Sequence, residues 1–156
     1  IIDSKREKIC RAAALHDVGK ISISDTILNK KGRLTDEEME IMKTHTTKGY
    51  EIIKGFKLND DEEQERYSLD IAKYHHERWD GRGYPEGLKG DEIPLWSQIV
   101  GIVDVYDALV SPRVYKKAFS HEKAMEMILA GECGTFNPIL LECLKDAEEL
   151  LKNEYK

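Results

Sequence analysis

With 156 residues, 40% of them hydrophobic and 35% charged, the chain suits one domain that buries about two-thirds of the surface its unfolded form would expose. A formal charge of −6 argues against a broad nucleic-acid surface, which needs clustered Lys and Arg. No apolar run approaches the roughly 20 residues of a membrane span, and nothing resembles a secretory signal. Cys10, Cys133 and Cys143 are odd in number and lack metal-ligand spacing, which points to reduced thiols and a cytoplasmic setting. An anionic substrate is compatible with the net charge, because bound divalent cations can dominate a local field.

In chain order, residues 4–16 read as a helix with Ile9, Ala12, Ala13 and Leu15 near one side. It ends at His16-Asp17-Val18-Gly19-Lys20, where Gly19 supplies the stop. Thr35-Asp36-Glu37-Glu38 is a capping-box pattern, and it should open a long helix whose inward stripe is Met42, His45, Gly49, Ile52 and Phe56. The acidic stretch 59–65 reads as a solvated connector. A third helix, with Leu69, Ala72 and His76 on one face, then runs into Tyr74-His75-His76-Glu77-Arg78-Trp79-Asp80-Gly81-Arg82-Gly83-Tyr84-Pro85. Consecutive helical residues sit about 100° apart, so two adjacent histidines reach a common centre only where the helix frays.

Residues 94–110 form a helix that is apolar nearly all round and therefore buried. Asp104 and Asp107 lie within it, one turn apart, and a buried carboxylate is costly unless paired or bound to metal. Ser111-Pro112 then opens a helical turn carrying Arg113, Tyr115, Lys116 and Lys117, the basic cluster near the candidate site. Ser120 caps a short helix through Leu129, and Asn137-Pro138 begins a last one with Leu141, Leu144, Ala147 and Leu151 on one stripe. With no strand-period alternation or internal repeat, the fold class is all-α.

His16, Asp17, His45, His75, His76 and Asp104 thus gather from four helices or helix ends, and they include four of the five histidines. One inward histidine is commonly a satisfied core residue, but four converging with two carboxylates are not explained that way. Imidazole and carboxylate ligands suit iron, manganese or zinc, and the lack of cysteine ligands argues against a structural zinc knot.

Over nearly its full length the chain resembles an HD-GYP domain, the cyclic di-GMP phosphodiesterase branch of the HD superfamily. His16-Asp17 with Gly19-Lys20 matches the family's opening signature, and His45 matches its isolated histidine. His75-His76-Glu77 with Asp80-Gly81 and Gly83-Tyr84-Pro85 matches its longest motif. The segment 104–109 and Arg113 with Tyr115-Lys116 match the closing ones.

The resemblance implies an HD-like helical bundle with a long Gly-Tyr-Pro loop, holding two or three divalent metal ions, usually iron or manganese. In it Asp17 bridges the metals, His16 and Asp104 complete one position, and His45, His75 and His76 supply most of the other. Asp17 and Lys20 take part in catalysis, and Lys20, Arg113 and Lys116 contact substrate phosphate. Tyr84 shapes the substrate groove and a surface for diguanylate cyclase (GGDEF) domains, with a receiver domain as another partner. Trp79 and Trp96 pack the loop down, and Asp107 orients a ligand or pairs with a lysine. The implied reaction is hydrolysis of a cyclic dinucleotide to pGpG or GMP in bacterial two-component signalling.

Two departures bear on this. The family takes a further histidine, and in three-metal members a glutamate, from a helix well upstream of the His-Asp doublet, whereas fifteen residues precede His16. Residues 1–156 are therefore expected to be an HD-GYP domain without its N-terminal helix, part of a larger signalling protein, binding metal incompletely and turning over slowly by itself. Asn137 replaces a frequent aspartate, with little consequence expected because both cap helices. The rival reading is a catalytically impaired module that binds a cyclic dinucleotide or a partner protein. An HD hydrolase of mononucleotides would leave His75-His76 and Gly83-Tyr84-Pro85 unexplained.

Overall fold

A computed structural model of the protein describes residues 3–56, 61–112 and 117–154, and among them there is no strand, only an isolated bridge between Asp80 and Lys89. The helices are α1 (Asp3–Ala13), α2 (Asp25–Leu28), α3 (Asp36–Lys43), α4 (His45–Phe56), α5 (Glu62–Tyr74), α6 (Leu95–Val110), α7 (His121–Leu129), α8 (Pro138–Asp146) and α9 (Glu148–Glu154). Short 3₁₀ turns at Val18–Ser22 and Gly90–Glu92 complete the regular structure. The all-α expectation holds, and none of these helices is long and apolar enough to cross a membrane.

The helix starts follow their capping residues. Thr35 Oγ1 accepts from the Glu38 N–H at 3.2 Å while the Glu38 carboxylate accepts from the Thr35 N–H at 2.8 Å, the reciprocal box expected. Ser120 caps α7, and Asn137 caps α8 through Ile139 at 3.0 Å. From Asp61 on, the acidic stretch is more structured than a connector. Asp61 accepts from the Glu63 and Gln64 N–H groups at 3.1 Å, and Glu62, Glu63 and Glu65 fill the first turn of α5, where the helix dipole favours negative charge.

Four other expectations are corrected. The long second helix breaks at Thr44, whose hydroxyl donates to the Ile41 carbonyl at 2.6 Å. In α4 the buried stripe is His45, Gly49 and Ile53, and Phe56 at the helix end is 73% exposed. Gly19 is not a left-handed stop: it lies within a 3₁₀ turn, where a Cβ would overlap the His45 carbonyl and the Gly49 N–H. Its missing side chain lets this turn press directly onto α4. Finally, α6 is not covered all round. Ile99 and the exposed Val103 line two apolar grooves, one shared with Ile9, Cys10 and Ala13 of α1 and one with Leu140, Cys143 and Leu151 of α8 and α9.

Helix α6 joins the two buried clusters. Val100 packs with Ala12, Tyr67 and Ile71 from α1 and α5, while Ile102, Tyr106 and Leu109 pack with Ala124, Met125, Ile128, Phe136 and Leu144. Asp104 lies on the same helix as both clusters, so core packing sets its position along the bundle.

The close approach at Gly19 predicts that Gly19→Ala destabilises the fold by about 2–3 kcal/mol, the cost of overpacking against backbone that has nowhere to move. Gly55→Ala, where nothing lies within 4 Å of the added carbon, should be neutral or slightly stabilising. Urea denaturation of both variants checks this, and equal midpoints for Gly19→Ala and wild type would contradict it.

Candidate metal centre

Each expected ligand sits at a helix end or on α6. His16 and Asp17 occupy the turn between α1 and the 3₁₀ segment, and His45 is the first residue of α4. His75 caps the C-terminus of α5 with its N–H on the Ile71 carbonyl at 3.2 Å. His76 follows beyond the last helical residue. Leaving the helix here is what lets the adjacent imidazoles face one centre, with ring centroids 4.1 Å apart.

Backbone carbonyls set the tautomers. His16 Nδ1 lies 2.7 Å from the Ala13 carbonyl, His45 Nδ1 2.8 Å from that of Met42, and His75 Nδ1 2.8 Å from that of Ile71. A carbonyl oxygen can only accept, so the proton is on Nδ1 and each Nε2 faces the centre. There, His45 Nε2 and His75 Nε2 lie 3.4 Å apart, and Asp17 Oδ1 is 3.4 Å from the first and 3.9 Å from the second. Asp17 Oδ1 is buried with no hydrogen-bond partner. Electron-pair donors therefore face one another with no proton between them, an arrangement that a cation relieves.

The other oxygen of Asp17 faces the opposite way. Oδ2 lies 2.5 Å from Lys20 Nζ and 3.3 Å from His16 Nε2, which in turn is 3.5 Å from Asp104 Oδ1. Two sets of donor atoms result, each within 4.8 Å of one another: Asp17, His45, His75 and His76, and His16, His75 and Asp104. Opposed ligands at 2.0–2.2 Å from a metal span about 4.0–4.4 Å, so closing either set needs shifts of a few tenths of an ångström. His75 falls in both sets, whereas the resemblance grouped it with His45 and His76 alone.

Burial works against charge throughout the cluster. It pushes His75 down to about 4, helped by the neighbouring His16, and also lowers His45 and His76, leaving all three neutral and able to ligate at pH 7. On His16 burial is outweighed by hydrogen bonding to Asp104 and Asp17, which raises it to about 10. Asp17 is held far below the usual carboxylate range, against its burial, by His16 and Lys20.

A cleft of about 330 Å³ opens beside the cluster, lined by Asp17, Lys20, His76, Asp104, Val105, Ala108 and Leu109. Tyr84 stacks on His76 with centroids 4.8 Å apart and 21° between planes, and Lys43 Nζ sits 5.6 Å from the Tyr84 ring centroid. Lys43 carried no sequence signal, since a lysine at the end of an amphipathic helix is ordinary. Asp107 is exposed and accepts from the Ser111 hydroxyl at 3.2 Å, outside both donor sets. Trp79 does tie down the loop, its N–H on the Thr135 carbonyl and its carbonyl accepting from Gly90. Trp96, in α6, packs on α5 instead, with its ring against Tyr67 and its indole N–H on the Asp70 carboxylate at 3.0 Å. Arg113 and Lys116 lie outside the described residues.

A family model described as an HD domain matches residues 2–137. The chain belongs to the HD domain family. The resemblance to its HD-GYP branch also stands, because this HD domain is 43% identical over 152 residues to a cyclic di-GMP phosphodiesterase of Vibrio cholerae, covering 92% of the chain and 29% of that protein. It is 44% identical over 136 residues to the cyclic di-GMP phosphodiesterase response regulator RpfG of Xanthomonas campestris, covering 85% of the chain and 34% of the relative. A 3′3′-cGAMP-specific phosphodiesterase of Vibrio cholerae is 40% identical over 144 residues, 92% of the chain and 27% of the relative. The HD domain thus spans about a third of the length of these curated relatives.

Because the two oxygens of Asp17 face different donor sets, Asp17→Ala should weaken both metal positions, and by more than the roughly 10- to 100-fold that residues behind a ligand typically cost. Elemental analysis against free-metal concentration reads this directly. Unchanged affinity at either position would show that the carboxylate does not serve both.

Proposed function

We propose that this HD domain is the metal-dependent phosphodiesterase unit of a longer bacterial signalling protein and that it hydrolyses cyclic di-GMP, or a related cyclic dinucleotide, to pGpG, or to GMP after a second cleavage. The observation that carries the reading is the surplus of electron-pair donors around Asp17 Oδ1, beside a cleft into which Lys20 also opens. The relatives supply the substrate class, and the cGAMP-specific one keeps the mixed dinucleotide in the same class.

Two divalent ions, iron or manganese, with a third in a longer protein, would supply Lewis acidity and an activated water at neutral pH. The remaining chemistry belongs to the side chains. We assign Asp17 to both metal positions, His16 and Asp104 to one, His45 and His76 to the other, and His75 to the region between. In the reaction, water oxygen bonds to phosphorus as the bond to the ribose 3′ oxygen breaks, and that oxygen takes a proton. Lys20 orients Asp17 and offsets the charge gathering on the phosphoryl oxygens. Val105, Ala108 and Leu109 form an apolar wall that limits water on one side of the cleft, and Tyr84 bounds the side above His76. Arg113 and Lys116 are proposed as further phosphate contacts.

A segment of the longer protein upstream of α1 is proposed to lay a helix in the groove between α1 and α6. That groove, of about 340 Å³, is apolar and reaches His16 and Asp104, where another ligand would complete their set. The same feature favours the rival reading for this chain alone, a binding module of low turnover. A cytoplasmic setting belongs to the same proposal, and the response regulator among the relatives supports a receiver domain as a neighbour. The surface around Tyr84 is a candidate contact for a diguanylate cyclase domain.

The test is hydrolysis of cyclic di-GMP by anaerobically prepared, iron- or manganese-loaded protein, followed by chromatography of the products. Slow formation of pGpG, accelerated when the upstream segment is restored, is expected. Binding without any product in either form would favour the interaction module.

A further inference from the structure

Glu77 is the most deeply buried carboxylate among the described residues, 5% exposed, yet it belongs to neither donor set and faces no cation. Its carboxylate is filled by backbone. Oε1 accepts from the Glu86 N–H at 2.7 Å and the Gly87 N–H at 3.1 Å, and Oε2 accepts from the Leu88 N–H at 3.0 Å. Three consecutive N–H groups form a concave anion site, and the anion is supplied by the protein's own chain. Gly87, at φ +69°, takes the left-handed conformation within this run. The adjacent Arg78 does not compete for the carboxylate, because its guanidinium donates to the His75 and Glu77 carbonyls and lies over the Phe136 ring.

We propose that Glu77 is a positioning residue that fixes the Tyr84 side of the cleft and thereby sets affinity for the substrate. The segment it grips, 86–88, begins two residues after Tyr84, and Tyr84 itself is tied to the ligand segment through its N–H on the His76 carbonyl at 3.3 Å. Gly83 permits this approach, since a Cβ there would overlap the Glu77 Cα and the His76 carbonyl. From outside, Lys73 pairs with the Glu86 carboxylate, and the Tyr74 hydroxyl lies 3.5 Å from it. The loop is therefore clamped on both faces, with the buried clamp one residue from His76. A ring stacked on His76 can form a stable wall only while its backbone is held, and Glu77 accepts three of the hydrogen bonds that hold the segment just after it. The inference rests on the cyclic-dinucleotide reading for its substrate and on geometry alone for the clamp.

Glu77→Gln separates the two, because an amide presents one acceptor oxygen and turns a donor toward N–H groups that need an acceptor. In the metal-loaded protein this variant should keep its helicity and bound metal. Amides 86–88 should exchange at least about tenfold faster, as expected for losing a shared buried acceptor. KM for cyclic di-GMP should rise about tenfold with kcat changed less than about threefold, the pattern of lost binding rather than lost chemistry. Unaltered exchange at 86–88, or faster exchange with unaltered KM, overturns the proposal. Should Glu77→Gln not fold, Glu77→Asp keeps the charge but is one methylene short, and it should shift the same two readouts in the same direction. If wild type binds the dinucleotide without cleaving it, Kd replaces KM. If it does not bind it, the substrate reading fails and slow exchange at 86–88 in wild type decides whether the clamp exists.

Discussion

The centre of this protein is an electrostatic mismatch held in place by backbone. His45 and His75 each spend their Nδ1 proton on a carbonyl of the preceding turn, which commits their Nε2 lone pairs to a space that also receives Asp17 Oδ1. A protein interior does not tolerate facing acceptors without a donor or a cation. Much of the fold is arranged so that the mismatch cannot relax: the 3₁₀ turn is pressed onto α4 at Gly19 and Gly49, α5 stops at Tyr74, and α6 is fixed by packing at both ends.

Helix ends do the geometric work. A ligand pair on one helix needs a spacing of three or four residues, but ligands at the ends of several helices need only that the ends meet. Here five of the six candidate ligands come from helix ends and one from the middle of α6. A cleft opens beside these ends, and the long loop after His76 folds back onto the His76 ring. Tyr84 makes that contact, stacked on His76 and tethered by its N–H on the His76 carbonyl.

Much of this was legible in the sequence, and for stated reasons. The capping box at Thr35, the caps at Ser120 and Asn137, and the six clustering residues carry chemistry that residue type and spacing reveal. What escaped depends on tertiary approach. Gly19 looked like a helix stop because glycine usually is one, while its actual role requires knowing that α4 lies against it. Phe56 and Val103 looked inward because periodicity places a residue on a face but does not say whether a neighbour covers that face. Trp96 was assigned to the loop by nearness in sequence and packs on α5 instead. The role of Glu77 was invisible, since its partners are backbone groups that no sequence pattern marks.

The central claim is that the facing lone pairs exist to hold metal, and X-ray absorption at the iron edge of the iron-loaded protein tests it most directly. The account predicts nitrogen and oxygen neighbours at about 2.0–2.2 Å, with the multiple-scattering pattern of several imidazoles and no sulfur. Iron surrounded by sulfur, or by water oxygens alone, would contradict it.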